Sequence, residues 1–242
     1  ERVREMVDIG VLRLYEGVSE RIVDLVAIDP NVQVPSCPQW SALDLLRHVC
    51  AVAEDWVEGR LDGYGTEEWT QKGVKRLSDL TLEELSQAWA VALAEMGDLG
   101  DKPGMGDPAR FALGDAAVHE ADLRAILAPG SVLPQEALTV ATKGSFAVWR
   151  QHLLSKGAPD LVIELGTGPV LRVGDDPQVC LRLSEYELFR MLNGRRSVSQ
   201  IEEYDWSASP EPYISAGLGG PVTGGFEGVA TWAELPLLEP LL

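Results

Sequence analysis

Four stretches between residues 2 and 127 repeat apolar side chains every three or four positions, and proline or glycine closes each one. A chain with that period must bury one stripe of each helix against another, which restricts the first half to helix-on-helix packing. In residues 2–28 the stripe includes Val11, Leu14, Val18, Ile22 and Leu25, and Asp29-Pro30 ends it. Pro35 and Pro38 then keep the chain extended as far as Trp40. Ser41 with Asp44 resembles a capping box and predicts a helix over 42–58, with Leu45, Val49, Val52 and Trp56 inward. Gly59, Gly63 and Gly65 break the pattern, and a polar crossing with Trp69 and Lys72 leads to a second capping box, Thr81 with Glu84. That box opens a helix over 82–96 carrying Leu85, Trp89, Leu93 and Met96. Residues 97–108 read as a surface loop, not a phosphate-binding one, because no strand precedes them. The fourth helix covers 109–127 and stops at Ala128-Pro129-Gly130. Together these predict a four-helix bundle.

Past Pro134 the period changes. A helix over 136–155 is followed by short β-rich runs at 161–163, 170–173 and 179–183, with Gly166-Thr167-Gly168 and Gly174-Asp175-Asp176-Pro177 as turns. Ser184 with Glu187 starts another helix that Gly194 stops, and 198–204 reads as one more. The tail from Ser207 is Pro/Gly-rich and gives no readable pattern. The expectation is therefore α + α/β: a helical bundle over 1–130 and a smaller α/β domain over 136–242, which 242 residues suffice to provide with a core each.

The fourth helix also holds the chemistry. Asp115, His119 and Asp122 stand at i, i+4 and i+7, one stripe of one face. A carboxylate and an imidazole one turn apart can grip a metal but need a third ligand, and the second helix offers His48, one of three histidines in the chain. The candidate ligands are His48, Asp115 and His119. Asp44 reads as a helix cap or as a group orienting His48, and Asp122 as support for His119 or a solvated carboxylate. His152, with no acidic or histidine partner at useful spacing, reads as a surface residue, and Cys50 as packed core.

A formal charge of −18 repels phosphate backbones and anionic headgroups, which argues against nucleic acid and membrane surfaces as partners. No apolar run is long enough to cross a bilayer. Three cysteines, Cys37, Cys50 and Cys180, are odd in number and widely spaced, so neither a disulfide framework nor a thiolate zinc site is signalled. With no basic, apolar leader in view, the expectation is a soluble protein of the reducing cytoplasm.

The motif Trp40-Ser41-x-x-Asp44-Leu45-x-x-His48, the acid-x-x-x-His pair Asp115 and His119, and an α/β domain containing Leu192-x-Gly194-Arg195 occur in that order. In this the chain resembles the mycothiol-dependent maleylpyruvate isomerase family, an actinobacterial branch of the DinB-like metal-binding four-helix bundles with a sterol-carrier-like second domain. The resemblance implies a divalent metal, usually zinc, on His48, Asp115 and His119, with mycothiol as the thiol cofactor. Asp115 stands where the family commonly has Glu. Its side chain is about 1.5 Å shorter, so the helix must come closer to the ion or a water must bridge. Glu120 lies about 100° further round the helix and ranks below Asp115.

Two imidazoles and one carboxylate leave zinc a fourth position, as in catalytic sites. A thiol bound there becomes thiolate and adds to a small electrophile. Elimination after bond rotation makes the enzyme an isomerase, and retention of the adduct makes it a transferase; both remain open, as does a binding protein of the same fold that lacks turnover. Arg195 and Arg196 follow a helix stop. Arg195, at the matching position, is expected to pair with a carboxylate of substrate or thiol as the smaller domain closes over the metal end; a solvated basic turn is the alternative.

Overall fold

The computed structural model describes residues 2–97 and 108–217, with the side chains of the first helix from residue 10 onward. Most of the loop expected at 97–108, and the tail beyond 217, thus lie outside the described residues. The elements are α1 (Arg2–Ile28), α2 (Ala42–Glu58), α3 (Glu67–Arg76), α4 (Leu82–Met96), α5 (Pro108–Leu127) and α6 (Gln135–Lys156). They are followed by β1 (Leu161–Glu164), β2 (Val170–Val173), β3 (Val179–Arg182), α7 (Glu185–Leu192), α8 (Val198–Glu202), β4 (Asp205–Trp206) and α9 (Glu211–Ala216). Among the described residues the protein is mostly helical with a small mixed sheet, α plus α/β in class. Two compact units divide between Ala141 and Thr142, inside α6. Ala137 belongs to the core of the first unit, while Phe146, Trp149 and Leu153 belong to that of the second.

In the first unit α1 packs on α4 and α5, and α2 on α3, α4 and α5. Tyr15, Val18 and Ile22 from α1 meet Leu45, Leu46 and Trp56 from α2, Leu85 and Trp89 from α4, and Leu113 and Leu123 from α5 in one buried cluster. The Trp89 indole N–H donates to the Tyr15 hydroxyl at 3.2 Å, so the polar atoms of two large buried rings satisfy each other. Both capping boxes form: Ser41 Oγ accepts from the Asp44 backbone N–H at 3.2 Å, and Thr81 Oγ1 from that of Glu84 at 3.3 Å. The inner side of α5 is largely alanine, with Ala109, Ala112, Ala116, Ala117 and Ala121 all buried. Such small side chains let the helix approach its neighbours closely.

The polar crossing contains a helix, α3, that the apolar period does not announce. Only Trp69 and Gly73 of its ten residues are buried, so it has no stripe to read. Its start is local: Thr66 Oγ1 accepts from Trp69 N–H at 3.2 Å. Gly73 sits where a Cβ would come within 2.9 Å of Ala51 Cβ, so its lack of a side chain sets the approach of α3 to α2.

The second unit is built on a sheet of order β2-β1-β3-β4, with β1 antiparallel to β2 and parallel to β3, and β3 antiparallel to β4. Leu161 and Ile163 of β1 and Leu181 of β3 face a core completed by Trp149, Leu153, Leu188 and Met191. The Asp160 carboxylate accepts the backbone N–H groups of Asp175 and Asp176 at 2.7 and 2.8 Å, which closes the turn between β2 and β3. Gly174 is required there, because a Cβ would overlap that carboxylate and its φ is 76°. Two further elements have no counterpart in the expected pattern, the two-residue β4 just before the tail and the six-residue α9 within it, both too short for either period to register. The helix expected over 198–204 ends earlier, at Glu202, and β3 ends at Arg182.

His152, expected at the surface, is only partly exposed, with Nε2 2.7 Å from the carbonyl oxygen of Ala216 at the end of α9. Arg196 is not a solvated turn residue. It is buried, and its Nε and Nη2 donate to the Glu187 carboxylate at 2.6 and 2.7 Å, while Tyr204 donates to the same group at 2.8 Å. Arg195, by contrast, is half-buried and its Nη1 donates to the Asn193 carbonyl oxygen at 2.8 Å. No helix among the described residues is long and apolar enough to cross a membrane.

Candidate metal centre

Helix α2 starts at its capping box, and from there the helical turn brings His48 to the buried side with Leu45, Val49 and Val52. Asp44 acts as the cap: its carboxylate accepts from Ser41 N–H and Oγ–H at 3.1 and 2.8 Å and from Arg47 Nη1 at 2.8 Å. These bonds hold its carboxyl below the usual range against the opposing effect of partial burial, and none of them reaches His48. On α5, Asp115 and His119 lie one turn apart, facing His48.

One carboxylate lies between the two imidazoles. His48 Nε2 is 3.2 Å from Asp115 Oδ2, and His119 Nε2 is 3.7 Å from Asp115 Oδ1. The two rings are 5.1 Å apart and nearly perpendicular, at 84°. One donor atom from each of the three residues lies within 4.8 Å of the other two. Ligands bound at 2.0–2.2 Å in a tetrahedron stand about 3.4 Å apart, so a small contraction brings this set onto one ion. The donors are chemically suited to a divalent ion that accepts nitrogen and oxygen ligands, with a position left over.

The surroundings orient the rings. Asp122, buried at 2% exposure, has Oδ2 3.2 Å from His119 Nδ1, which places the proton on that nitrogen and leaves Nε2 to face Asp115. The Trp40 ring lies 4.9 Å from His48 and 6.2 Å from His119. The segment before α2 holds it there: Val34 N–H donates to Trp40 O at 3.0 Å, and Gln33 Nε2 donates to the carbonyls of Pro38 and Trp40 at 2.9 and 2.6 Å. Replacing Asp122 with Asn keeps the shape but removes the charge behind His119. We expect metal affinity to fall roughly 10–100-fold, read by competition with a chromophoric chelator; unchanged affinity would mean that Asp122 does not support the ligand.

Burial alone would lower the His119 pKa. The hydrogen bonds with Asp122 and Cys37 and the charge of Asp115 outweigh it and push the value up to about 10, so the ring is an imidazolium in the ion-free protein. Tyr15 and Tyr64 are both held protonated, mainly by burial, with the Asp115 charge adding to the effect. Cys50 is inert: burial first, then Glu54, pushes its thiol up to about 12, and its Sγ lies 3.6 Å from the Leu85 carbonyl oxygen.

Glu120 is committed elsewhere. It is fully buried and accepts from Arg21 Nε and Nη2 at 2.7 and 2.9 Å and from Arg124 Nε at 2.8 Å. Arg195 belongs to the second unit. Cys37 was not legible as a participant, yet its Sγ forms a further cluster with His119 and Asp122. The only local hint is a cysteine between two prolines, three residues ahead of Trp40, and nothing in that spacing points to α5.

The fold is similar to that of a mycothiol-dependent maleylpyruvate isomerase. The alignment with its crystal structure covers 85% of this chain and 95% of that one at a TM-score of 0.55 and 15% identity. A crystal structure of a histidine-to-alanine mutant of a protein of the same description matches over the same shares, at a TM-score of 0.55 and 14% identity. No protein-family model matches the sequence, and no curated protein does.

Proposed function

We propose that this chain is a metal-dependent enzyme that uses a low-molecular-weight thiol, most simply mycothiol, to isomerise or conjugate small electrophiles. Its first unit is read as a DinB-like four-helix bundle and its second as a sterol-carrier-like α/β domain, working in the cytoplasm. One observation carries the reading: two imidazoles with their Nε2 atoms turned to one shared carboxylate, buried between α2 and α5, in a fold like that of a mycothiol-dependent isomerase.

His48, Asp115 and His119 would hold the ion, with zinc the best match to two nitrogens and one oxygen. When bound, the ion supplies acidity to a coordinated thiol, making thiolate available at neutral pH. The protein's part is to position and to exclude water. Asp122 orients the His119 ring, Trp40 covers the two rings, and the burial of His48 and His119 keeps their nitrogens dry. A thiolate so supplied would bond to the β-carbon of an α,β-unsaturated acid, the π electrons passing to the conjugated carbonyl; after rotation, return of that pair with loss of the thiolate would give the trans product, whereas protonation of the α-carbon would keep the C–S bond, as in a transferase.

The test is an assay of the metal-loaded protein with mycothiol and maleylpyruvate, then with a panel of electrophiles. Thiol-dependent turnover that disappears in His119→Ala is the expected result. Absence of turnover with every substrate, alongside retained ligand binding, would favour a binding protein instead.

Arg195, at the position that the resemblance matches, is proposed to pair with the anionic end of substrate or thiol. Arg195→Ala should raise KM for an anionic substrate and leave metal content unchanged. Unaltered kinetics would remove Arg195 from the site.

A further inference from the structure

His119 has donors on both sides of its ring. Asp115 Oδ1 approaches Nε2 at 3.7 Å, whereas Asp122 Oδ2 lies 3.2 Å from Nδ1. Cys37 Sγ joins the second side, so that one atom each from Cys37, His119 and Asp122 lies within 4.8 Å of the other two. Asp122 and His119 are buried and Cys37 half-buried. The cysteine is held in a closed turn: its N–H donates to Val34 O at 2.9 Å and its carbonyl accepts from Trp40 N–H at 2.8 Å, with Val34 buried beneath. Its position is therefore as well supported as that of Trp40 over His48.

We propose that Cys37, His119 and Asp122 form a second cation position, distinct from the one on His48, Asp115 and His119, and that it takes a thiophilic divalent ion. A thiolate, an imidazole and a carboxylate favour such ions over magnesium or calcium. The two positions draw on opposite nitrogens of one ring. An ion on the Cys37 side binds Nδ1, displaces both the Nδ1 proton and the thiol proton to solvent, and leaves a proton on Nε2 facing Asp115. An ion on the His48 side binds Nε2 and leaves Nδ1–H on Asp122. The two positions thus use opposite nitrogens of one ring, and the softer ion favours the sulfur side.

Cobalt(II) titration tests this without any substrate, so the outcome is independent of whether thiol-dependent turnover exists. Thiolate bound to cobalt gives an intense near-ultraviolet charge-transfer band. It should appear in the unaltered protein and in His48→Ala, vanish in Cys37→Ser, and persist in Cys180→Ser. Asp122→Asn should shift the titration to higher cobalt concentration. A band lost in His48→Ala would place the sulfur on the first ion and overturn a second position. A band that survives Cys37→Ser, or none in the unaltered protein, would overturn it as well. Circular dichroism that matches the unaltered protein shows that Cys37→Ser is folded, and Cys37→Ala provides a second variant of the same kind.

Discussion

Replacing His48 or His119 with alanine is expected to remove most of the bound divalent ion, and His152→Ala to remove none. Three protein donors share the proposed ion, and each imidazole supplies one of them, so the loss should exceed the roughly 10–100-fold that follows from losing an outer hydrogen-bond partner. His152 has no part in either donor cluster and instead meets Ala216 O. Elemental analysis decides this, since full stoichiometry in both His48→Ala and His119→Ala would refute the site. A pH dependence accompanies it. His119 in the ion-free protein holds its second proton up to about 10, and an ion on Nε2 must displace that proton. Uptake at neutral pH should therefore release about one proton from this ring, and affinity should rise with pH up to the same value. Calorimetry in buffers of different ionisation enthalpy counts the proton. The sign for stability follows as well: the folded value lies above the ordinary 6.5, so the imidazolium stabilises the ion-free fold below about 6.5 and that contribution is lost as pH rises through about 10. Ion-free protein should melt lower at pH 10 than at pH 6.5 by more than His119→Ala does.

Of the two helices that carry the site, α2 is readable from its capping box and α5 from its apolar period and the Ala128-Pro129-Gly130 stop. Ser41/Asp44 and Thr81/Glu84 announce α2 and α4, and the apolar period shows which faces turn inward. The pairing of Asp115 with His119 follows from one helical turn, so any helix over that stretch sets them side by side. What brings His48 to them is tertiary. The packing of α2 on α5 has no short-range signature; it is expected because Asp115 and His119 need a third ligand, and the order and separation of motifs along the chain support it. Cys37 fell outside the reading for the same reason. Its partners lie more than eighty residues away, and a lone cysteine between prolines says nothing of them. Polar or very short elements were lost on other grounds. The helix α3 buries two residues and α9 spans six, so neither accumulates a period. Arg196 shows the opposite difficulty: two adjacent arginines after a helix stop look alike in sequence, and only the fold brings Glu187 and Tyr204 to one of them.

The sharpest contrast among the carboxylates of α5 should be between Glu120→Ala and Asp115→Ala. Glu120 is a buried anion shared by two guanidinium groups whose side chains are only 30% and 16% exposed. Its removal leaves Arg21 and Arg124 partly desolvated with no counter-charge, which typically costs about 3–5 kcal/mol for a buried pair. Because both arginines retain some access to water, the lower end, about 3 kcal/mol, is the expected loss in urea unfolding. Metal content at temperatures where the variant is folded should not change. Asp115 has the reverse profile. Its side chain is 25% exposed, so alanine there should cost less stability in the ion-free protein than Glu120→Ala does, the cost being the lost attraction between Asp115 and the His119 imidazolium. It should nevertheless abolish stoichiometric metal binding, because the single oxygen donor of the cluster is gone. Metal lost in folded Glu120→Ala but kept in Asp115→Ala would transfer the ligand role to Glu120, and would require Arg21 and Arg124 to give up the ion pairs that now occupy both of its oxygens.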